Sequence, residues 1–391
     1  MTSEQLAAEI ARSSGRAMIG FKDPSAARGV DATGRTLAAD TSAAIGKQFA
    51  RSLGAEILYE FKKLPALVVK VAATAAIVDS LRGSPYVDYV EPDALGNVSS
   101  QTTTWNVSRI QGTVAWSYST GSGVKLLIID TGVGGHEDLS VPVAYNCIQG
   151  GSTSDVKGHG TAVAGVAAAL NNSIDVVGAS YGVTLWSANA WDPNAHQQQG
   201  AITSAQVACA IDVARVNGVK VVNMSFHVDT TATLTATIQG GYNYDDILFV
   251  AAAGNNVPGD SSIDYPASLA EVIAVAATMY DNTRAPYSSV GSKIELSAPG
   301  DSTGYDGLLT TALSGASVCP ALPGLAVGKC DGTSMASPHV AAAAALLRAY
   351  DASLHNTDVR TRLDCAAYYL GDSRWYGNGL VQAKSAITGV C

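Results

Sequence analysis

The chain has 391 residues, long enough for two or more domains, one with a large core. Only 15% of residues are charged and 7% aromatic, while alanine, valine and 39 glycines dominate, which suits a tightly packed α/β globule. The net charge of −9 excludes the basic face that nucleic acid requires. No apolar run approaches the ~18–20 residues that span a bilayer, so no membrane association is expected. Residues 1–16 carry Glu4, Glu9 and Arg12 among alanines and do not read as a secretory signal. The six cysteines (147, 209, 319, 330, 365 and 391) all lie in the later part of the chain. An even number so confined points to disulfides and an oxidising, secreted setting. Cys319 and Cys330 flank a short loop and are placed to close it; the other pairings stay open.

The first ~100 residues read as a domain of their own. Residues 17–22 form a strand candidate ending at Asp23-Pro24, and 37–53 have helical spacing through Leu37, Ile45, Phe49 and Leu53. Strands are expected at 55–61 and 67–71, a helix at 74–82 and a last strand at 86–91. This β-α-β-β-α-β order is the ferredoxin-like split arrangement of a small α+β domain. It contains neither cysteine nor histidine, so its expected role is binding. The polar, Ser/Thr-rich stretch 93–104 marks the domain boundary.

Beyond it, buried strands alternate with helices. Residues 124–130 (VKLLIID) are an almost unbroken β-branched and leucine run, the pattern of a parallel strand covered on both faces. Residues 219–225, 247–254 and 271–277 repeat the type, and 161–170 and 203–216 are helical. The expectation is a doubly wound, mostly parallel α/β sheet with function at the carboxyl ends of its strands.

Four strand or helix ends carry chemistry. Asp130 closes the first strand before Thr131-Gly132; taken alone it reads as a turn aspartate. Gly158-His159-Gly160-Thr161 opens a helix and places an imidazole where base catalysis suits it, although a lone histidine between glycines also reads as a loop residue. Ala253-Gly254-Asn255 ends a strand with an amide that can hold an oxyanion, or that merely turns the chain. Gly332-Thr333-Ser334-Met335-Ala336-Ser337-Pro338-His339-Val340 leads into an alanine-rich helix, and Pro338 implies that this helix is just beginning there. Ser334 then sits at the positive end of a helix, as a nucleophile should, although most such serines are simple N-caps. Their chain order of acid, base and nucleophile is that of one known Ser-His-Asp triad.

Together these four motifs resemble the subtilisin-like serine proteases, the subtilases. Trp105-Asn106-Val107-Ser108-Arg109-Ile110 resembles the start of the mature enzyme in the proteinase K branch, and the first domain, ending Tyr89-Val90-Glu91-Pro92-Asp93, resembles the inhibitory propeptide. The resemblance covers nearly the whole chain. It implies an N-terminal extension at 1–14, a propeptide domain at 15–97, a cleavage segment at 98–104 and a catalytic domain at 105–391. It further implies a self-processing serine endopeptidase, cleaved near 96–101, acting on protein or peptide substrates and held back by its own propeptide. Ser334 would be the nucleophile, His159 the base, Asp130 its partner and Asn255 the oxyanion donor. Substrate would lie along Ser225, Phe226, His227 and Ala252, Ala253, Gly254.

Some residues depart from the family pattern. Ala162 stands where a second histidine is usual. The stretch after Asp130 is one residue shorter and has Glu137 where proline is common. Phe226-His227 replaces the usual Leu-Gly, which should narrow or reshape the substrate pocket. No cofactor is expected for catalysis; Glu295 stands where some relatives place a calcium-binding carboxylate, so a structural calcium ion is an added expectation, a solvated glutamate being the plainer reading. The other histidines show no metal spacing. A monomer is the default. A Gly132-Val133-Gly134 nucleotide fingerprint fails because Glu137 stands at its third glycine, and Gly332-Thr333-Ser334-Met335-Ala336 is not the esterase elbow. The rival from another class is a catalytically silent, peptide-binding relative.

Overall fold

The computed structural model describes residues 1–22, 40–61, 66–93, 101–147, 151–256, 262–302 and 307–391. Two compact units appear, Met1–Asn97 and Val98–Cys391. The expected strand end at Asp23-Pro24, the helix start at Leu37, the turn at 62–65 and the cleavage positions 96–100 lie outside the described residues.

The first unit runs α1 (Ser3–Arg12), β1 (Arg16–Phe21), α2 (Asp40–Ser52), β2 (Glu56–Glu60), β3 (Ala66–Lys70), α3 (Ala75–Arg82) and β4 (Val87–Pro92). Its antiparallel sheet has the order β2-β3-β1-β4, the expected split arrangement. The periodicity reading gave no helix at α1, which forms because Thr2 and Gln5 make a reciprocal capping box. Its Leu6, Ala7 and Ile10 are buried in one cluster with Val78 and Leu81, so this segment belongs to the core.

The second unit opens with α4 (Trp105–Arg109) and α5 (Gly112–Ala115). There follow β5 (Lys125–Asp130), β6 (Val143–Asn146), α6 (His159–Ala168), β7 (Thr184–Asn189), β8 (Trp191–Asp192), α7 (Ala195–Gln198), β9 (Ala201–Ile202) and α8 (Ser204–Val216). Next come β10 (Val221–Met224), α9 (Ala232–Tyr244), β11 (Leu248–Ala252), β12 (Val272–Thr278), β13 (Ile294–Pro299), β14 (Leu308–Thr311), β15 (Val327–Cys330), α10 (Thr333–Tyr350) and α11 (Asn356–Cys365). Seven strands form one parallel sheet in the order β13-β12-β11-β10-β5-β7-β6. Both faces are covered, which is why β5 reads as a continuous apolar run. Leu126 and Ile128 enter the core with the alanines of α6 and α10, and Leu127 and Ile129 the core with α8 and α9. Small side chains along α10, Ala341 to Ala345, are fully buried and let it lie close against the sheet.

Disulfides join Cys147 to Cys209, Cys319 to Cys330 and Cys365 to Cys391. The Cys319–Cys330 loop is therefore closed as its spacing suggested. Among the described residues no helix is long and apolar enough to cross a membrane.

Candidate active site

The carboxyl ends of β5, β10 and β11, the three middle strands of the parallel sheet, and the first turns of α6 and α10 carry the candidate residues. Asp130, the last residue of β5, is fully buried, and its Oδ1 accepts the Thr131 N–H at 2.7 Å. The same oxygen lies 2.7 Å from His159 Nδ1. That bond fixes the tautomer, Nδ1–H toward the carboxylate and Nε2 outward. His159 opens α6 with its side chain 20% exposed. Burial acts to lower its pKa, but the charge and hydrogen bond of Asp130, with the charge of Asp155 behind them, prevail and raise it above 6.5.

Asp155 escaped the sequence reading. It accepts from Thr131 Oγ1 (2.9 Å), Lys157 N (2.9 Å), Gly158 N (2.8 Å), Thr161 N (2.9 Å) and Thr161 Oγ1 (2.7 Å). Thr131 Oγ1 in turn accepts the Gly160 N–H at 3.0 Å. Three N–H groups at the start of α6 that have no helical partner are thus satisfied, and a negative charge sits at the helix's positive end. Residue 160 must be glycine, because a Cβ there would stand 2.0 Å from the Gly132 carbonyl oxygen. Ala162 is fully buried in the alanine-rich core, so the departure there is a matter of packing.

Ser334 is the second residue of α10, and Pro338 falls inside the helix rather than at its start. A proline within a helix leaves the carbonyl four residues back without a donor. That carbonyl belongs to Ser334, and Ser225 Oγ donates to it at 2.8 Å. Ser225 is itself held by Asn223 Nδ2 at 2.9 Å, and Asn223 Oδ1 accepts from Ser337 Oγ at 2.6 Å. The helix tolerates Pro338 because the end of β10 supplies the missing donor, which locks Ser334 against the sheet. The Ser334 hydroxyl donates to the Ser225 carbonyl at 2.9 Å rather than to His159. His339 is fully buried between Met335 O and Asn106 Nδ2, both at 2.8 Å, and burial lowers its pKa to about 4; its role is packing.

Asn255 follows β11. Its Oδ1 accepts both the N–H and the hydroxyl of Thr333 at 2.9 Å, so Nδ2 is the end left to donate. Two cavities meet at Ser334. One, about 880 Å³, is lined by His159, Ser225, Phe226, His227, Ile202 and Ser334 among others. The second, about 180 Å³, is lined by Phe226, His227, Ala252, Gly254, Asn255, Asp264 and Ser334 among others. The side chain of Ala253 packs instead with Ala276 and Ile294 in the core. His227 does not fill either cavity, its side chain being 83% exposed. Glu295 is neither solvated nor a cation ligand: its carboxylate is held by Arg360, with Nε to Oε1 at 2.6 Å.

Comparisons with known proteins agree with this geometry. The subtilase family description matches residues 121–379, and the fervidolysin N-terminal prodomain description matches residues 37–93. An alkaline protease of Alkalihalobacillus alcalophilus is 36% identical over 85% of this chain and 81% of its own length. The chain belongs to the subtilase family. Subtilisin E of Bacillus subtilis is 35% identical over 88% of this subtilase and 86% of its own length. Alkaline elastase YaB of a Bacillus species is 34% identical, with 85% and 82% covered. The protein is a subtilisin-like serine endopeptidase with a prodomain, and as a subtilase it needs no cofactor for catalysis.

Proposed function

We propose that this subtilase hydrolyses peptide bonds through Ser334, His159 and Asp130, and is made as a zymogen that cuts itself. The observation that carries the reading is the Asp130–His159 bond of 2.7 Å beside a serine at a helix start and an asparagine whose amide is turned to donate. Ser334 Oγ attacks the carbonyl carbon as its proton passes to His159 Nε2. Asn255 Nδ2 and the Ser334 N–H, in the first turn of α10, take the oxyanion. His159 then delivers the proton to the leaving amine, and water repeats the sequence on the acyl-enzyme. Asp130 holds the ring and stabilises its charged form. Ser334 must leave the Ser225 carbonyl for His159, a tightening of the kind that substrate binding brings about in resting sites. The Trp105-Asn106-Val107-Ser108-Arg109-Ile110 motif supports a proteinase K-like mature start; there Trp105 packs edge-on to Tyr280, with Arg109 over both rings.

The prodomain match and the polar segment near 96–101 support cleavage there, with the released domain as an intramolecular inhibitor. Three disulfides support an oxidising, secreted setting, with the monomer as working unit. The test is the intact mass of the purified chain beside Ser334→Ala. Separation of a ~100-residue fragment from the wild type alone is expected. Both chains remaining whole, or both cut alike, would remove self-processing.

A structural calcium ion fits the loop after α6. Gln101 Nε2 donates to the carbonyl oxygens of Leu170 and Val176 and to the Asn172 side-chain oxygen, and turning that amide over would leave these oxygens and its own Oε1 to a cation. Buried Asp138, bonded to Val176 N, keeps an Oδ1 without a partner. Carbonyl, amide and carboxylate oxygens are the donors calcium takes. These residues would hold it and so pin the loop; they have no part in the reaction. Calcium should raise the melting temperature of the wild type over EDTA but not that of Asp138→Asn; equal melting of the wild type in both would rule it out.

A further inference from the structure

An acyl-transfer site fixes where the residue ahead of the scissile bond puts its side chain. Its carbonyl carbon lies at Ser334 Oγ and its carbonyl oxygen at Asn255 Nδ2. The side chain leaves from the adjacent Cα, so its pocket must border both residues. The cavity of about 180 Å³ does so, whereas the larger one borders Ser334 and His159 without Asn255.

The smaller cavity has a carboxylate in its wall. Asp264 lies against the backbone of Gly254, so close that a Cβ at 254 would stand 2.4 Å from its Oδ2. Its backbone N–H donates to Ala253 O at 3.0 Å, which fixes it beside the end of β11. Among the described residues, its carboxylate accepts one hydrogen bond, from Asn256 Nδ2 at 3.3 Å. His227 Nδ1 lies 3.9 Å from Oδ2, beyond hydrogen-bond distance, on an exposed side chain. A carboxylate has about four acceptor positions, so most of this one's capacity faces the cavity, 22% exposed. Phe226 lines the same cavity and offers an apolar surface to an alkyl stem.

Resting on the protease reading above, we propose that this cavity selects a cationic side chain and that the subtilase cleaves after lysine or arginine. Asp264 is the specificity-determining residue, pairing with the ammonium or guanidinium while the stem lies along Phe226. The segment 96–101 holds no lysine or arginine. Processing there therefore relies on the cut being made within one chain, where held geometry replaces pocket affinity.

The test is kcat/KM on a peptide series that varies only the residue ahead of the scissile bond: arginine, lysine, glutamine, leucine and phenylalanine. Wild type should prefer arginine or lysine over glutamine by roughly 10- to 100-fold, the range of a charge-assisted hydrogen bond. Asp264→Asn should collapse that ratio, and benzamidine should compete with the arginine peptide on the unmodified enzyme. Preference for leucine or phenylalanine, a ratio unmoved by Asp264→Asn, or indifference to benzamidine overturns the subsite alone. A chain that cleaves none of the series overturns the protease reading and this assignment with it.

Discussion

Two carboxylates of the site, Asp155 at the turn that opens α6 and Asp264 on the smaller cavity at Ser334, are given opposite work by their surroundings. Asp155, at the start of α6, is buried and receives five hydrogen bonds from Thr131, Lys157, Gly158 and Thr161. Asp264, beside β11, receives one long bond and opens onto a cavity. A carboxylate whose acceptor positions are filled is part of the scaffold. One left short of donors at a cavity is a ligand site waiting for a cation. The number of donors already bound separates positioning from recognition, although both residues lie within one site.

That contrast can be broken by measuring stability. Asp155→Ala strands backbone N–H groups at the start of α6 and two threonine hydroxyls, at about 1–3 kcal/mol for each buried donor left unmet. A loss of about 3 kcal/mol or more is expected, read as a fall of several degrees in melting temperature together with weakened catalysis as His159 loses its setting. Asp264→Asn, by contrast, should stay within about 0.5 kcal/mol of wild type. Equal destabilisation by the two would show that Asp264 is structural after all.

Much of the scaffold was legible in sequence because its signals are local. The apolar run of β5 and those of β10, β11 and β12 need only the rule that doubly covered parallel strands are continuous in hydrophobicity. Asp130, His159, Asn255 and Ser334 stand in short motifs, and the structure gathers all four at the carboxyl ends of the middle strands. What was hidden depends on distant partners. Nothing beside Asp155 in the chain announces that it ties down a helix start, and Asp264 enters a pocket only because it folds back on Gly254. Pro338 looked like a helix start because the donor that replaces its missing N–H, Ser225, lies over a hundred positions away. The resemblance puts Ala253 on the substrate edge with Ala252 and Gly254, whereas its side chain turns into the core with Ala276 and Ile294. Glu295 looked free because Arg360, its partner, lies on a different element.

The most direct measurement is kcat/KM against pH for wild type and Asp155→Asn with one good peptide. His159 acts as a base only when neutral, and Asp130 with Asp155 raises its pKa. Activity should therefore be low in acid and rise through an apparent pKa above 6.5. Removing the Asp155 charge should move that limb to lower pH. A rate flat from acid to alkaline pH, or a limb that ignores Asp155→Asn, would contradict a histidine base held by these two carboxylates.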